Sequence, residues 1–381
     1  MKKIKRTIVK NIGKLFKIKK IIIMESNPDF TDNTKKVYEK LLENKVNEDY
    51  KIVWFVDDYK KFNHIKEKNV KFINIIPGKN IINILKKTYY LCSAKIIIDS
   101  NKYINKVKKE QIRFHLCHGT PIKKVDDYSG SIGEADFILE IGDYFKKENS
   151  RIFKKNENIF LDLGFPRNDD LFSNIKVLKD YKSKINNKIV VWLPTYRNHK
   201  NHKCSKDMIL KYGLPCLNSK KEVLKFDKVL RDNNITVFIK LHPAQDNKLL
   251  ESFNCENFKL ITDSDLKENN INLYQLLSIS DALITDYSSI YYDYLLTKRP
   301  IILAISDIEI YNKNVGFFDD YYKVIKGDFA YKVDDLCECM KNLAKGIDKL
   351  KAERVKCLKL YHKYYDNKSA ERVYEFIKKF L

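Results

Sequence analysis

One stretch in the second half of the chain, residues 282–305, most strongly constrains the fold that the chain can adopt. Residues 282–284 form a short apolar run that predicts a strand buried on both faces, and 285–289 supply turn and capping side chains. An aromatic-rich helix then leads to a second apolar run at 301–305. This order predicts a βαβ unit whose turn lies where open α/β sheets bind ligands. Free backbone N–H groups there favour an anion, although a serine-capped helix without a ligand would show the same pattern.

The same alternation runs through the rest of the chain. Short apolar runs separated by helical patterns are typical of a parallel sheet covered by helices. In the first half these runs lie at 20–24, 52–56, 70–76, 96–98, 112–116, 137–139 and 159–161. Because 381 residues exceed one typical core, we expect two domains. We predict Rossmann-like domains at 21–172 and 188–365 that face each other across a cleft, a polar linker at 173–187, and a C-terminal helix at 366–381.

The formal net charge of +23 predicts attraction to an acidic partner. The clearest basic cluster is 1–20, which holds nine lysines or arginines and no acidic residue. Apolar side chains recur between them at helical spacing, namely Ile4, Ile8, Ile12, Leu15 and Phe16. The pattern indicates a basic amphipathic segment on an anionic membrane surface, or else a helix packed on the protein's own core.

The cysteine pattern and the hydropathy of the sequence indicate the cellular compartment in which we expect the protein. The eight cysteines are scattered, and only Cys337 and Cys339 lie close together, with a spacing that fits neither a zinc site nor a redox pair. The sequence shows no signal peptide and no apolar run long enough to cross a bilayer. We therefore expect a reduced, cytosolic chain.

His118 is the notable residue of the first half. It follows a predicted strand and precedes Gly119 and Pro121, which force a turn. An imidazole at the end of a strand suits a general base, although a lone histidine is more often structural. Lys123 and Lys124 would add positive charge, and Asp126 or Asp127 would orient the ring or simply be solvated. Farther along the chain, Arg167 lies in the predicted turn 164–169. There it would either contact a phosphate or brace the hinge between the two domains.

In the second half, polar residues follow each predicted strand. Arg197 comes after the strand near 188–193, and Lys240 and His242 come after the next one. Asp263 and Asp265 match a short Asp-x-Asp metal motif, but we favour a surface loop there. His199, His202 and Cys204 lack an evident fourth ligand, so we expect no metal.

Five motifs become specific when taken together. They are His-Gly-Thr-Pro-Ile-Lys-Lys at 118–124, Gly-Phe-Pro-Arg-Asn-Asp at 164–169, Leu-Pro-Thr-Tyr-Arg at 193–197, Lys-Leu-His-Pro at 240–243 and Ile-Thr-Asp-Tyr-Ser-Ser at 284–289. In this order the chain resembles the CDP-glycerol glycerophosphotransferases of teichoic acid and capsule synthesis, over about 21–367. It departs from the usual pattern at Cys117, where an aromatic residue is usual, and at Phe165, which replaces a common tyrosine.

The resemblance implies a GT-B fold and transfer of glycerol phosphate, or a related polyol phosphate such as ribitol phosphate, from a CDP-linked donor. The acceptor would be a lipid-linked glycan or polymer at the cytoplasmic face of the bacterial membrane, with CMP released and no cofactor. His118 would be the catalytic base, and His242 would assist at the donor phosphates. The implied donor-binding residues are Arg197, Lys240, Asp286, Ser288 and Ser289. Lys123, Lys124 and Arg167 are further candidates for contacts to acceptor or phosphate.

Two other classes of function stay open on the sequence. A glycosyltransferase with a CMP-sialic acid donor also uses His-Pro and Ser-Ser motifs in a GT-B fold, but it gives no reason for the His118 and Arg167 motifs. A basic nucleic-acid-binding protein would explain the charge, yet no motif for one is present, so we expect no nucleic-acid partner.

Overall fold

The computed structural model describes residues 16–78, 80–101, 104–124, 134–197, 210–241, 253 and 255–381. Contacts divide the chain into two compact units. The first contains the described residues of Met1–Thr120, Asp126–Asp169 and His362–Leu381. The second contains those of Pro121–Val125 and Asp170–Tyr361. Most of the basic segment predicted at 1–20 lies outside the described residues.

The first unit is built on a seven-stranded parallel sheet in the order β3-β2-β1-β4-β5-β6-β7. Its central strands are almost wholly apolar because helices cover both faces. The strands are β1 Lys19–Glu25, β2 Lys51–Val56, β3 Val70–Asn74, β4 Ala94–Asp99, β5 Ile112–His115, β6 Phe137–Glu140 and β7 Phe160–Asp162. The helices before the crossing to the second unit are α1 Asp32–Glu43, α2 Val46–Asp49, α3 Ile81–Ser93 and α4 Lys146–Phe153.

The second unit carries a six-stranded parallel sheet in the order β10-β9-β8-β11-β12-β13. Its strands are β8 Lys188–Trp192, β9 Ile235–Ile239, β10 Phe258–Leu260, β11 Ala282–Thr285, β12 Ile301–Ala304 and β13 Asp328–Ala330. Its helices are α5 Lys176–Ile185, α6 Lys220–Asp232, α7 Asp263–Glu268, α8 Leu273–Ile279, α9 Ile290–Tyr294, α10 Ile308–Asn314, α11 Tyr321–Val324, α12 Val333–Ala344 and α13 Lys351–Tyr361. In each sheet the strand order reverses between the first and fourth strands, which is where ligands bind in such folds.

The last helix, α14 Ser369–Lys378, returns to the first unit and packs on α1. Asp169 fixes its start, since its carboxylate oxygens accept from the backbone N–H groups of Ser369 and Ala370 at 2.9 and 2.8 Å. An acidic side chain at a helix N-terminus satisfies donors that would otherwise lack a partner.

The α/β class and the two parallel sheets are confirmed, and two local expectations differ from the structure. The segment predicted as a linker contains α5, whose buried Leu178 faces the protein while its lysines face solvent. The segment expected to be a surface loop at Asp263 begins α7, because Thr262 and Asp265 form a reciprocal capping box. Within the described part of the chain, no helix is both long and apolar enough to span a membrane.

Candidate active site

His118 lies just past β5, at the carboxyl edge of the first sheet. The preceding residue, Cys117, is buried and has a left-handed backbone with φ of 54°. Residues other than glycine rarely adopt this conformation. The turn buries the Cys117 thiol and leaves His118 exposed. The side chain that the sequence marks as a base is therefore open to a substrate.

Asn33, which the sequence analysis did not single out, holds this turn in place. Its side-chain N–H group donates to the carbonyls of Leu116 and Cys117, both at 3.0 Å. Its amide oxygen accepts from the backbone N–H of Arg167 at 3.1 Å. Asn33 is fully buried. A strained backbone, which costs on the order of 1–3 kcal/mol, persists only where surrounding contacts fix it, and Asn33 supplies such contacts.

Arg167 stabilises the same turn from the other side. Its Nη1 atom donates to both carboxylate oxygens of Asp32, at 3.0 and 3.2 Å, and to the His118 carbonyl at 2.6 Å. Its guanidinium carbon lies 5.2 Å from the centre of the Phe165 ring. Arg167 is a predicted phosphate contact, and the structure gives it a second role as a brace for the His118 loop.

The protein around His118 favours its neutral form. Partial desolvation is the largest effect, and it lowers the pKa below the ordinary 6.5 although the residue remains exposed. The charge of Asp32 opposes this shift, whereas Arg167 and His115 reinforce it. A hydrogen bond to the Ser100 backbone also opposes it. In neutral imidazole, the ring nitrogen that donates to a carbonyl carries the proton, so the other nitrogen keeps its lone pair.

A buried charge cluster lies beneath this loop. Asp99, at the end of β4, accepts from His115 Nδ1 at 2.7 Å and from Arg113 Nε at 3.0 Å. It also accepts from the backbone N–H of Ile104 at 2.8 Å. The cluster fixes the end of β4, and the next residue, Ser100, supplies the carbonyl that orients His118.

In the second unit, the residues predicted to bind the donor gather at the point where the strand order reverses. The adjacent strands β8 and β11 end here, followed by Thr195 and by Asp286. Asp286 Oδ1 accepts from the backbone N–H of Thr195 at 2.9 Å and from its hydroxyl at 2.6 Å. The side chain of Asp286 is fully buried. It therefore joins the two strand ends rather than facing solvent.

Arg197 is buried between two carboxylates. Its Nη1 donates to Asp286 Oδ2 at 2.8 Å and to the Thr195 carbonyl at 2.7 Å. Its Nε and Nη2 donate to Asp307 at 2.7 and 3.1 Å. Burial alone would lower the pKa of Arg197, but the charges of Asp286 and Asp307 raise it above its ordinary value. The sequence motif thus forms a buried ion network, with Asp307 as a member that the sequence analysis missed.

Tyrosine rings complete this network. Tyr287 stacks on Tyr311 with ring centres 3.9 Å apart, and its hydroxyl donates to Asp307 at 2.9 Å. The Arg197 guanidinium lies 4.8 Å from the Tyr287 ring centre. Burial, reinforced by the Asp307 charge, raises the pKa of Tyr287, so its hydroxyl stays a neutral donor. These contacts fix the direction in which the chain continues into Ser288 and Ser289.

The two serines are better placed to reach a ligand than Asp286 is. Both are half-buried. Ser289 precedes α9, and its side chain makes no capping hydrogen bond to that helix. The Ser288 hydroxyl is approached by the backbone N–H of Ile290, at a long 3.5 Å. Neither hydroxyl is committed to a strong bond within the described part of the chain, so both can donate to an anion.

Lys240 follows β9, the neighbour of β8, on the same edge of the second sheet. Its ammonium contacts the exposed Asp263 carboxylate at 3.1 Å. Because the Asp263 side chain is 64% exposed, solvent screens this ion pair, and an incoming phosphate can compete for the half-buried lysine. Asp263 thus partners a predicted donor-site lysine.

Lys123 and Lys124 belong to the second unit. Lys123 forms an antiparallel bridge with Phe317, and the backbone N–H of Lys124 donates to the Gly316 carbonyl at 3.0 Å. Gly316 has φ of +78°, a backbone conformation that residues other than glycine rarely adopt. The short pairing fixes the backbone of this segment, and Lys124 is exposed.

Some predicted residues lie outside the described part of the chain. They are His242, Asp126, Asp127, His199, His202 and Cys204. Among the residues that the structure describes, no group of three or more His, Cys, Asp or Glu side chains is placed to hold a metal ion.

Comparison with known proteins gives a consistent result. The family model described as CDP-Glycerol:Poly(glycerophosphate) glycerophosphotransferase matches residues 9–379. A teichoic acid poly(glycerol phosphate) polymerase of Bacillus spizizenii is 26% identical, over 86% of this chain and 85% of the relative. A teichoic acid glycerol-phosphate transferase of Staphylococcus aureus is 24% identical, over 98% of each protein.

The solved structures agree on the fold. That of the wall teichoic acid polymerase TagF superposes with a TM-score of 0.75 at 20% identity, covering 98% of this chain and 93% of that one. The resemblance drawn from the five motifs is confirmed by the family match, and the fold is GT-B-like. The chain belongs to the CDP-glycerol:poly(glycerophosphate) glycerophosphotransferase family and is a transferase.

Proposed function

We propose that the protein transfers glycerol phosphate, or a related polyol phosphate, from a CDP-linked donor to a lipid-linked glycan or polymer in teichoic acid synthesis. The observation that carries the proposal is the exposed His118 ring, held by the Ser100 carbonyl and kept neutral by its surroundings. A neutral, accessible imidazole is what a general base requires. The relatives that match along most of the chain are named as teichoic acid polymerases, primases and transferases.

In the proposed reaction, His118 takes the proton of an acceptor hydroxyl. The hydroxyl oxygen then forms a bond to the phosphorus that carries the polyol. The bond from that phosphorus to the bridging oxygen of the diphosphate breaks, and CMP leaves with the electron pair. Phosphoryl transfer depends mainly on positioning and on positive charge around the phosphate oxygens. Lys240, His242, Ser288 and Ser289 would supply this stabilisation, while Arg197 and Asp286 would hold the turn that presents the serines.

The donor class has support from a relative. A variant of TagF was solved after a soak with CDPG, and that structure superposes on this chain with a TM-score of 0.76. We propose a CDP-linked polyol for this chain as well, bound at the turn 286–289 of the second unit. The cleft between the two domains stays a prediction, as do the roles of Lys123 and Lys124 as phosphate or acceptor contacts.

A donor screen tests the proposed reaction. The purified protein is incubated with a lipid-linked acceptor and with CDP-glycerol, CDP-ribitol or CMP-sialic acid, and CMP release is followed. We expect release with a CDP-polyol and none with CMP-sialic acid. Release with CMP-sialic acid alone would instead assign the chain to the glycosyltransferase alternative.

The serine turn gives a second prediction. Replacing Ser288 and Ser289 together by alanine removes two donors to a charged diphosphate, each worth about 1.5–3 kcal/mol. We expect the KM for the CDP-linked donor to rise at least about tenfold, with thermal stability unchanged because Ser289 does not cap α9. Ser183→Ala, a serine on the exposed side of α5, is the control. An unchanged KM in the double variant would remove the turn from the donor site.

We also propose that the protein acts as a peripheral enzyme at the cytoplasmic face of the membrane. The acceptor is then met at the bilayer surface, and residues 1–20 provide nine basic side chains for attraction to anionic lipid. Each basic residue near such a surface contributes about 1 kcal/mol before screening. Support for this proposal comes from the sequence pattern alone, since residues 1–15 lie outside the described part.

A further inference from the structure

Two histidine rings are held by consecutive residues at the end of β4. Asp99, the last residue of the strand, accepts from His115 Nδ1 at 2.7 Å. The next residue, Ser100, offers its backbone carbonyl to the ring of His118. Because neighbouring Cα atoms are about 3.8 Å apart, the two imidazoles anchored here lie close to one another. The structure thus pairs the proposed catalytic base with a second histidine that has no part in the proposed reaction.

The segment that carries both rings is fixed on several sides. The Asp99 carbonyl accepts from the backbone N–H of Leu116 at 2.7 Å. The Ser100 N–H donates to the Glu25 carbonyl at 3.2 Å, and the hydroxyl oxygens of Ser100 and Thr34 lie 2.5 Å apart. Ser100 and Thr34 are both fully buried. These contacts leave the segment little freedom, so the position of one ring constrains the position of the other.

His115 cannot act on a substrate itself. Its side chain is only 2% exposed, and the side chains of Asp99 and Arg113 are fully buried. Burying such polar and charged groups is costly, and apolar residues of similar volume in place of a buried ion cluster are often neutral or stabilising. Stability alone therefore gives no reason for a histidine at this position, whereas its place beside His118 does.

The groups that face His118 come from three elements. Desolvation is the largest effect that lowers its pKa, and Arg167, in the turn after β7, and His115, on β5, act in the same direction. Asp32, at the start of α1, opposes them. Because Asp32 and Arg167 form an ion pair at 3.0 Å, their charges largely cancel at the His118 ring. The Cys117 thiol between the two histidines stays neutral, since burial raises its pKa.

We infer that His115 is a positioning residue for His118. Through the shared segment 99–100 it helps to fix the direction of the base, and positive charge on its ring keeps the base neutral. An anionic substrate favours the protonated form of a nearby histidine, so a base that works on a diphosphate donor needs an opposing charge. The inference rests on the proposed function, in which His118 takes the proton of an acceptor hydroxyl.

Histidine titration by NMR tests the charge without any substrate. The full chain, labelled with carbon-13 in its histidines, is titrated as the parent and as His115→Gln. The His118 signal is identified by its absence in His118→Ala. Glutamine still donates to Asp99 but carries no charge, so we expect the titration midpoint of His118 to rise by roughly half a pH unit or more. His64→Gln, at an exposed histidine, is the control and should leave that midpoint unchanged.

Kinetics of CMP release test the direction of the base. Asp99→Asn weakens the hold on His115, and we expect kcat to fall about tenfold or more with the donor KM within about twofold, because a misplaced base slows the chemical step. Asp227→Asn is the matched control and should keep the kcat of the parent. Its carboxylate is also buried, and it accepts from the backbone N–H of Asn257 at 3.0 Å in the second unit.

The pH profile joins the two measurements. In His115→Gln, the acidic limb of kcat/KM should move to higher pH together with the NMR midpoint, since a base of higher pKa is protonated sooner as the pH falls. A merely structural role for His115 would lower the rate without moving this limb. Should Asp99→Asn fail to fold, His115→Gln still decides the question, because it keeps both Asp99 and a donor to it.

An unchanged or lowered His118 midpoint in His115→Gln would overturn the inference, even with a loss of kcat in Asp99→Asn. A kcat of Asp99→Asn equal to that of Asp227→Asn would overturn it as well. Failure of the proposed function gives a different result. The parent would then release no CMP from any CDP-polyol, although the His118 midpoint still rises in His115→Gln.

Discussion

We expect His118→Ala to lower the rate of polyol-phosphate transfer by about a hundredfold or more, while the protein stays folded and still binds the CDP-linked donor. The size follows from the usual contribution of a positioned general base. The residue is exposed and its side chain is held by a backbone carbonyl, so the substitution opens no cavity in the core. Donor binding should persist because the proposed donor residues belong to the other unit.

The pH dependence provides a test specific to this role. A base must be neutral to accept a proton, and the surroundings lower the pKa of His118 from 6.5. Activity should therefore fall on the acidic side with a midpoint below 6.5 in kcat/KM, and the His118→Ala variant should lose this limb. His64→Ala, at an exposed surface histidine, is the control and should keep both the rate and the limb. Turnover of His118→Ala close to that of the control would remove His118 from the mechanism.

The sequence could locate the strand ends because their chemistry is local. Short apolar runs followed by polar turns gave both sheets and placed His118, Lys240 and Asp286 at strand ends. Two short edge strands, β10 and β13, were not predicted, since three residues carry too little pattern to stand out.

Long-range partners could not be predicted from the sequence. Asn33 reaches a turn more than eighty positions along the chain, and Asp307 meets Arg197 across 110 positions. Nothing in their neighbouring residues signals these contacts. The sequence also assigned Arg197 and Asp286 directly to the ligand, whereas the structure shows that much of their hydrogen-bonding capacity is used within the protein.

The solvent exposure of the apolar side chains on α3 could not be predicted from the sequence either. The helical pattern between the apolar runs at 70–76 and 96–98 predicts α3, but apolar residues at helical spacing normally indicate burial. Only the structure shows that Ile81, Ile82 and Leu85 face outward. The basic segment 1–20 stays the membrane contact that the sequence predicts.

Asp286→Ala should destabilise the second unit by roughly 3–5 kcal/mol, the range found when one partner of a buried ion pair is removed. Asp286 is fully buried and accepts from Thr195, Tyr287 and Arg197, so its loss leaves buried donors unpaired. Asp286→Asn keeps an oxygen for Thr195 but loses the charge opposite Arg197, and its cost should be smaller. In a Trp54→Phe background, the fluorescence of Trp192, whose strand β8 pairs with β11, reports unfolding of this unit in urea.

The exposed pair of Lys225 and Asp334 offers the control for this prediction. Asp334→Ala removes a carboxylate that solvent already screens, so its effect on stability should be far smaller than that of Asp286→Ala. The contrast separates two roles for Asp286. A large loss of stability in Asp286→Ala and a smaller one in Asp286→Asn mean that the carboxylate braces the serine turn from within the protein. If donor binding weakens in both variants while the urea midpoint is unchanged, Asp286 does not act as a brace. Such a result would indicate that Asp286 contacts the donor directly.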